Sequence, residues 1–310
     1  MSNACMMKNI AFCALALISF QVMAQTYEYR DLPKDQLDNA YNQAVWAPNF
    51  KETIAGYHDA SVEVRKLYQP RTFAYGEAVK EKLDVYAPKQ AKDLPIMLFI
   101  HGGAWKSGSK DDSAGPVKTF VDAGVIYVAV GFDLIPDTDL SGMVDQVRRA
   151  VIWVNKNAKA FGGDPDKIYI SGHSSGGHLA AVLLTTEWNA LGAPRHILKG
   201  GVVISGMGDL HPPMQSARGS YLKLSNQQIQ QLSPINHMAQ ADAPVLIAWG
   251  ANESPEFIRQ GKQLASAFEK KGRLYWEHEF PATDHFVMVN LLNDPDSELS
   301  KKTLELVKTH

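Results

Sequence analysis

The sequence predicts an α/β protein: one mostly parallel central sheet with helices on both faces and a small cap. Three observations carry that expectation. Short apolar runs such as "PIMLFIHGG" and "PVLIAWG" stop at glycine, as parallel strands buried on both faces do. Between them lie segments with apolar residues at helical spacing, such as "MVDQVRRAVIWVNKNA" and "PEFIRQGKQLASAFEKKG". The 310 residues are 45% apolar and 21% charged, a globular balance with enough chain for one domain and a sizeable core.

The first two dozen residues read differently from the rest. Lys8 precedes the apolar run "IAFCALALISF", and "VMA" ends at Ala24 with small residues where a signal peptidase cuts. Residues 1–24 are therefore expected to be a cleavable signal peptide, removed near Gln25. Residues 25–310 form the α/β domain, exported to the periplasm or secreted. The run is too short to span a bilayer as a mature helix. Cys5 and Cys13 both lie in this leader, so the mature chain has no disulfide, thiolate nucleophile or cysteine metal site. Cys13 sits midway through the apolar run rather than at its end, a poor place for a lipid anchor.

After the leader, "KDQLDNAYNQAV" and "HDASVEVRKLY" suggest two helices that decorate the sheet. Alternation then begins. "EKLDVYA" has the period of a half-exposed strand, and "PIMLFIHGG" and "VIYVAVGF" read as buried strands. The helix "MVDQVRRAVIWVNKNA" follows, and then "KIYISGHS" runs as a strand into a glycine turn and the helix "SGGHLAAVLLTT". "GGVVIS", "PVLIAWG", the helix "PEFIRQGKQLASAFEKKG" and the strand "LYWEHEF" complete the series. Residues 206–233 break the rhythm, being polar and proline-containing between two core strands. They are expected to cap the site, which in such sheets lies at the carboxyl ends of the strands.

One turn carries the chemistry. Gly172-His173-Ser174-Ser175-Gly176 fits G-x-S-x-G where a strand passes into a helix, and the glycines permit a sharp elbow that lifts Ser174 towards the cleft. A serine needs a histidine to take its proton, and the histidine needs a carboxylate to fix its tautomer. His285, in the turn after the last core strand, is the expected base. His211, His237 and His278 lie in the cap, a polar connection and a strand. The acid should follow "PVLIAWG", where Glu253 precedes a helix-opening proline. Glu256 is the rival, though its place in the first helical turn suits the helix dipole better. Asp284 is beside the histidine in sequence and badly placed to orient it. The turn "FIHGGAW" supplies the amides of Gly103 and Ala104 for an oxyanion, and Ser175 supplies the third.

Taken together these residues resemble the α/β-hydrolase superfamily, and within it the kynurenine formamidase-like and carboxylesterase branch marked by H-G-G-x-W, here His101 to Trp105. "EKLDVYAP", "FGGDP", "SGHSSGGHLAA", "SGMGDL", "ESPEF" and "DHF" fall in the family's order, from about Tyr41 to Val289. The resemblance implies the α/β-hydrolase fold and a Ser174–His285–Glu253 triad. The family acid is often aspartate, so a glutamate here adjusts the geometry without new chemistry. Kynurenine formamidases work inside the cell, whereas this chain carries an export leader; that favours an esterase.

Of the aromatic residues expected near the cleft, Trp105, Phe132, Tyr221 and Phe286, only Trp105 is expected to touch substrate. His101 is expected to shape the loop without exchanging protons. The net charge of −2 and the scattered basic residues indicate no nucleic-acid partner, and no stable membrane insertion is expected. The expected partner is a small-molecule ester or formamide, and no metal or organic cofactor is implied. Three readings follow: a serine carboxylesterase, an arylformamidase with the same machinery, and a binding protein on a hydrolase fold that has lost catalysis.

Overall fold

The computed structural model describes residues 32–309. The expected leader and its cleavage point lie outside the described residues.

In chain order the elements are α1 (Lys34–Ala40), α2 (Phe50–Leu67), β1 (Arg71–Ala74), β2 (Lys82–Tyr86), β3 (Leu94–Ile100), α3 (Val117–Asp122), β4 (Ile126–Val130), α4 (Leu140–Asn157), β5 (Gly163–His173) and α5 (Ser175–Leu184). There follow β6 (Gly200–Ile204), α6 (His211–Gln215), α7 (Gly219–Leu222), α8 (Asn226–Leu232), β7 (Val245–Gly250), α9 (Pro255–Lys270), β8 (Leu274–Phe280), α10 (Val287–Asn290) and α11 (Glu298–Thr309). The strands form one eight-stranded sheet in the order β1-β2-β4-β3-β5-β6-β7-β8. β2 pairs antiparallel with β1 and β4, and the remaining neighbours are parallel.

Side chains alternate between two cores because successive residues of a strand face opposite ways. Ile96, Leu98 and Ile100 of β3 join α4, α5 and α9 on one face. Met97 and Phe99 join α3 and α11 on the other. Local signals fix the helix starts: Asp139 accepts the Gly142 amide at the head of α4, and Ser254 accepts the Phe257 amide at the head of α9, with Pro255 at its first position.

Three elements depart from the sequence reading. β2 is not half-exposed: only Lys82 is exposed, because β1 and β4 flank the strand. Its buried Asp84 accepts bonds from Lys110 Nζ at 2.8 Å and from Thr72 Oγ1 at 2.7 Å, which satisfies the charge. β1 itself is four largely exposed residues, too short for a periodic signal. α2 begins eight residues before the stretch expected to be helical.

The order of the strands places the site. The chain leaves β3 for β4 on one side, then crosses through α4 to β5 on the other, so the connections diverge between β3 and β5. The crevice beyond the carboxyl ends of those strands is where an open α/β sheet binds ligands. "HGGAW" follows β3 there, and Ser174 follows β5.

Candidate active site

Ser174 lies between β5 and α5, capping the helix with φ 57° and ψ −121°, a strained conformation for a residue with a side chain. The surrounding backbone enforces it. The Ser174 amide donates to the Ile204 carbonyl at 2.9 Å, and its carbonyl accepts the His178 amide at 3.0 Å. Gly176 must lack a side chain: a Cβ there would stand 2.1 Å from the Ile100 carbonyl oxygen. Close approach of α5 to β3 thus turns Ser174 out of the sheet.

Ser174 Oγ lies 2.8 Å from His285 Nε2, and His285 Nδ1 lies 3.0 Å from Glu253 Oε2. The structure thus brings together three residues from the ends of β5, β7 and β8. Glu253 and His285 are 2% and 3% exposed, so this pair is shielded from water. The other Glu253 oxygen, Oε1, accepts Ser205 Oγ–H at 2.5 Å and the Gly250 amide at 2.8 Å. Those two donors fix the carboxylate with Oε2 facing the imidazole, and the His285 Nδ1–H proton faces that oxygen.

Glu256 is engaged elsewhere: it holds Arg259 through both oxygens, at 2.7 and 2.8 Å, and accepts Tyr41 Oη–H at 2.6 Å. Asp284 caps the amides of Phe286 and Val287 at 2.9 and 3.0 Å. His211 pairs with Asp209, and His278 stacks on Trp276.

Gly103 and Ala104 line the same cavity as Ser174 and His285. Gly103 has φ 116°, and a Cβ on it would stand 2.1 Å from the Ser107 carbonyl oxygen. Neither amide is bonded to a backbone carbonyl among the described residues, and the Ser175 amide is the first of α5, at the positive end of the helix dipole. Ser175 also contributes through its side chain, whose Oγ accepts the Trp105 amide at 3.3 Å and ties the turn after β3 to the elbow.

Three buried histidines frame the site without facing Ser174. His173 Nε2–H donates to the His285 carbonyl at 2.8 Å, and burial, with the nearby His285, brings its pKa down to about 3. His178 Nε2–H donates to the Leu232 carbonyl at 2.8 Å, and burial brings its pKa down to about 4. His101 stacks on Phe132 with ring centres 4.4 Å apart, its Nδ1–H donates to the Gly102 carbonyl at 2.8 Å, and burial again brings its pKa to about 4.

The cavity measures about 830 Å³. The expected cap contributes one wall, since Ser216, Ala217, Arg218 and Tyr221 of residues 206–233 line it. The N-terminal helices and the link between them contribute more, with Asp38, Asn39, Tyr41, Gln43, Phe50 and Tyr57 among the lining residues. These helices therefore wall the site and are more than a decoration of the sheet. Arg218 joins the two covers, donating to the Tyr41 carbonyl from Nε at 3.2 Å and Nη2 at 2.7 Å. Its guanidinium lies 5.3 to 5.6 Å from the rings of Tyr41, Phe257 and Trp105, and Nη1 has no partner among the described residues.

Trp105 requires a correction. It is 1% exposed and does not line the cavity; its ring meets His178 edge-on at 5.4 Å beneath the turn. Ala104 and Trp105 both have positive φ, 53° and 61°, and that reversal sends the indole inward. Phe132 is buried against His101, whereas Tyr221 and Phe286 do line the cavity.

Among the described residues no group of three or more His, Cys, Asp or Glu side chains stands ready to hold a metal ion, and no helix is long and apolar enough to cross a membrane.

The sheet order and the elbow after β5 define an α/β-hydrolase. Residues 83–194 match the BD-FAE family and residues 144–297 the prolyl oligopeptidase family. The kynurenine formamidase of Danio rerio is 31% identical over 293 residues, covering 90% of this chain and 98% of its own. Carboxylesterase NlhH of Mycobacterium tuberculosis is 32% identical over 128 residues, 41% of this chain and 40% of its own. A crystal structure from Silicibacter sp. tm1040, described as that of a thioesterase, superposes with a TM-score of 0.75 at 24% identity, covering 86% of this chain and 98% of its own, and supports the fold. The chain belongs to the kynurenine formamidase family, a hydrolase of the kynurenine formamidase and carboxylesterase type.

Proposed function

We propose that this chain is a serine hydrolase that cleaves the carboxylic ester of a small molecule through a covalent acyl-enzyme. Ser174 Oγ attacks the carbonyl carbon while His285 Nε2 takes its proton, and Glu253 holds the imidazole and stabilises its charge. The oxyanion falls to the amides of Gly103, Ala104 and Ser175. His285 returns the proton to the leaving oxygen as the tetrahedral adduct collapses. Water, deprotonated by His285, then attacks the acyl-serine and releases the acid, and no cofactor enters any step.

One observation carries the reading: the continuous relay of 2.8 and 3.0 Å from Ser174 through His285 to Glu253 in a buried setting. The test is turnover of p-nitrophenyl acetate and butyrate by the purified protein beside Ser174→Ala. The wild type should turn over and be labelled by a fluorophosphonate. Ser174→Ala should lose at least about 10⁴-fold in kcat, and full activity in that variant would defeat the assignment. Absence of labelling in the wild type would revive the binding-protein reading.

A second reading, arylformamidase, is favoured by the likeness to the Danio rerio enzyme over 90% of this chain. The same groups serve, with His285 protonating a leaving arylamine. Kinetics on N-formylkynurenine and on aryl esters separate the two: ester turnover without formamide turnover excludes the second. We further propose that the activity is exported, on the strength of the leader expected in residues 1–24; fractionation of cells expressing the full chain tests this.

A further inference from the structure

The loop that carries His285 is held from two sides. On one side His173 Nε2–H donates to the carbonyl of His285 at 2.8 Å. On the other, Tyr57 Oη–H donates to the carbonyl of the next residue, Phe286, at 2.5 Å. Two consecutive carbonyls are thus fixed by donors from unrelated elements, the elbow after β5 and the N-terminal helix α2. Phe50, one end of α2, adds a ring contact to Phe286 at 5.8 Å. The two donors do not switch off in the ordinary working range. Burial, with the Asp284 carboxylate nearby, pushes the Tyr57 phenol up, and burial keeps His173 neutral.

We propose that Tyr57 is a positioning residue for His285: through the Phe286 carbonyl its hydroxyl sets the aim of the imidazole at Ser174, which makes α2 a working part of the site. The inference rests on the proposed serine mechanism. Its physical basis is that proton transfer demands close alignment, and a misplacement of about 1 Å can cost about 100-fold in rate. A single lost clamp, with His173 still in place, should cost less.

The test uses Tyr57→Phe in the full chain, which keeps the ring in the cavity wall and removes only the donor. Kinetics are measured on p-nitrophenyl, phenyl and ethyl esters of one acid, with active sites counted by fluorophosphonate titration. We expect kcat to fall about tenfold with KM within about twofold. The loss should grow from the p-nitrophenyl to the ethyl ester, because a poor leaving group depends most on a well-aimed His285 proton. Tyr57→His, which keeps a ring and a donor, should recover part of that loss. Tyr68→Phe at the end of the same helix removes only a surface bond to Asp122 and should match wild type.

A loss equal across the three esters, or no loss, overturns the proposal, since a merely structural change scales every substrate alike. If Tyr57→Phe does not fold, Tyr57→Leu, which also lacks the donor, is compared with wild type, and an unchanged leaving-group dependence overturns the proposal as well. Ser174→Ala is run alongside. Retained activity there defeats the serine mechanism itself, whereas an inactive Ser174→Ala beside a wild-type-like Tyr57→Phe defeats only the role of Tyr57.

Discussion

The loops at the carboxyl edge of the sheet and the two N-terminal helices enclose one cavity, but they are built on different physics. Ser174, Glu253 and His285 each sit in a turn beyond the carboxyl end of a strand, β5, β7 and β8 in turn. α1, α2 and the link between them reach the same cavity through scattered long-range contacts: Tyr57 to Phe286, Gln43 to Ser254, Asp38 to Ala217 and Tyr41 to Arg218. A sheet edge presents groups for chemistry, and a laid-on helix pair shapes and holds what the edge presents. Substitutions in the first region should therefore act on kcat, and those in the second on KM and alignment.

The largest contrast is expected at the carboxylate. Glu253→Gln keeps the shape but removes the charge that orients and stabilises the His285 imidazole, and kcat should fall about 10³- to 10⁴-fold with KM little changed. Gln43→Ala removes a donor 2.8 Å from Ser254 Oγ, next to Glu253 in sequence but on the N-terminal side of the contact. Its kcat should fall less than about tenfold. Stopped assays on one aryl ester measure both, and equal losses would erase the distinction between the two regions.

The same difference governs what could be read without coordinates. That Ser174, His285 and Glu253 meet was legible because each is tied to a strand end by a turn that leaves a local signature. Glycine at 172 and 176 marks the elbow, and proline at 255 marks the helix after Glu253. The part played by α2 left no such trace. Its sequence "FKETIAGYHDASVEVRKL" exposes Ile54, Val62 and Leu67 and has no sharp apolar face, and the partner of Tyr57 is 229 residues away. Trp105 departs from its sequence expectation for the opposite reason. Proximity in sequence to Gly103 suggested the cavity, but two successive positive-φ residues reverse the side chain. Ser205, which fixes Glu253, is visible in the motif "SGMGDL", yet nothing in its spacing tells that its hydroxyl meets the acid.

Acid sensitivity should also belong to the sheet-edge region. His101, His173 and His178 are buried there, with pKa values brought from 6.5 to about 4, 3 and 4. The unfolded chain binds three protons near pH 6.5 that the folded chain refuses. Stability is therefore complete above that pH and falls as pH drops towards 4, by up to about 4 kcal/mol per pH unit. Urea unfolding at pH 7, 6 and 5 measures the slope, and His101→Gln should remove about a third of it.

A smaller effect should separate binding from chemistry on the N-terminal side. Phe50 lines the cavity from the start of α2, so Phe50→Ala widens the wall without touching the Ser174 to Glu253 relay. For a bulky aryl ester KM should rise about tenfold, the equivalent of about 1.4 kcal/mol of lost apolar contact, with kcat for p-nitrophenyl acetate within about threefold. A fall in kcat with KM unchanged would mean that Phe50 acts through Phe286 and the His285 loop instead of on the substrate.

The smallest kinetic effect is expected at Trp105. Its indole lies under the turn after β3, away from the cavity, packed on His178 and beneath the Arg218 guanidinium at 5.6 Å. Its Nε1–H has no hydrogen-bond partner among the described residues, so Trp105→Phe removes a polar group that gains nothing from burial. Against that stand the lost ring area and a weaker cation–π contact, leaving a net destabilisation of about 1 to 2 kcal/mol. KM should stay within about twofold for aryl and alkyl esters alike, as expected of a residue that supports the turn after β3 from below. A rise in KM confined to aryl esters would place the indole against the substrate after all, and would require the turn from Gly103 to Trp105 to open when ligand binds.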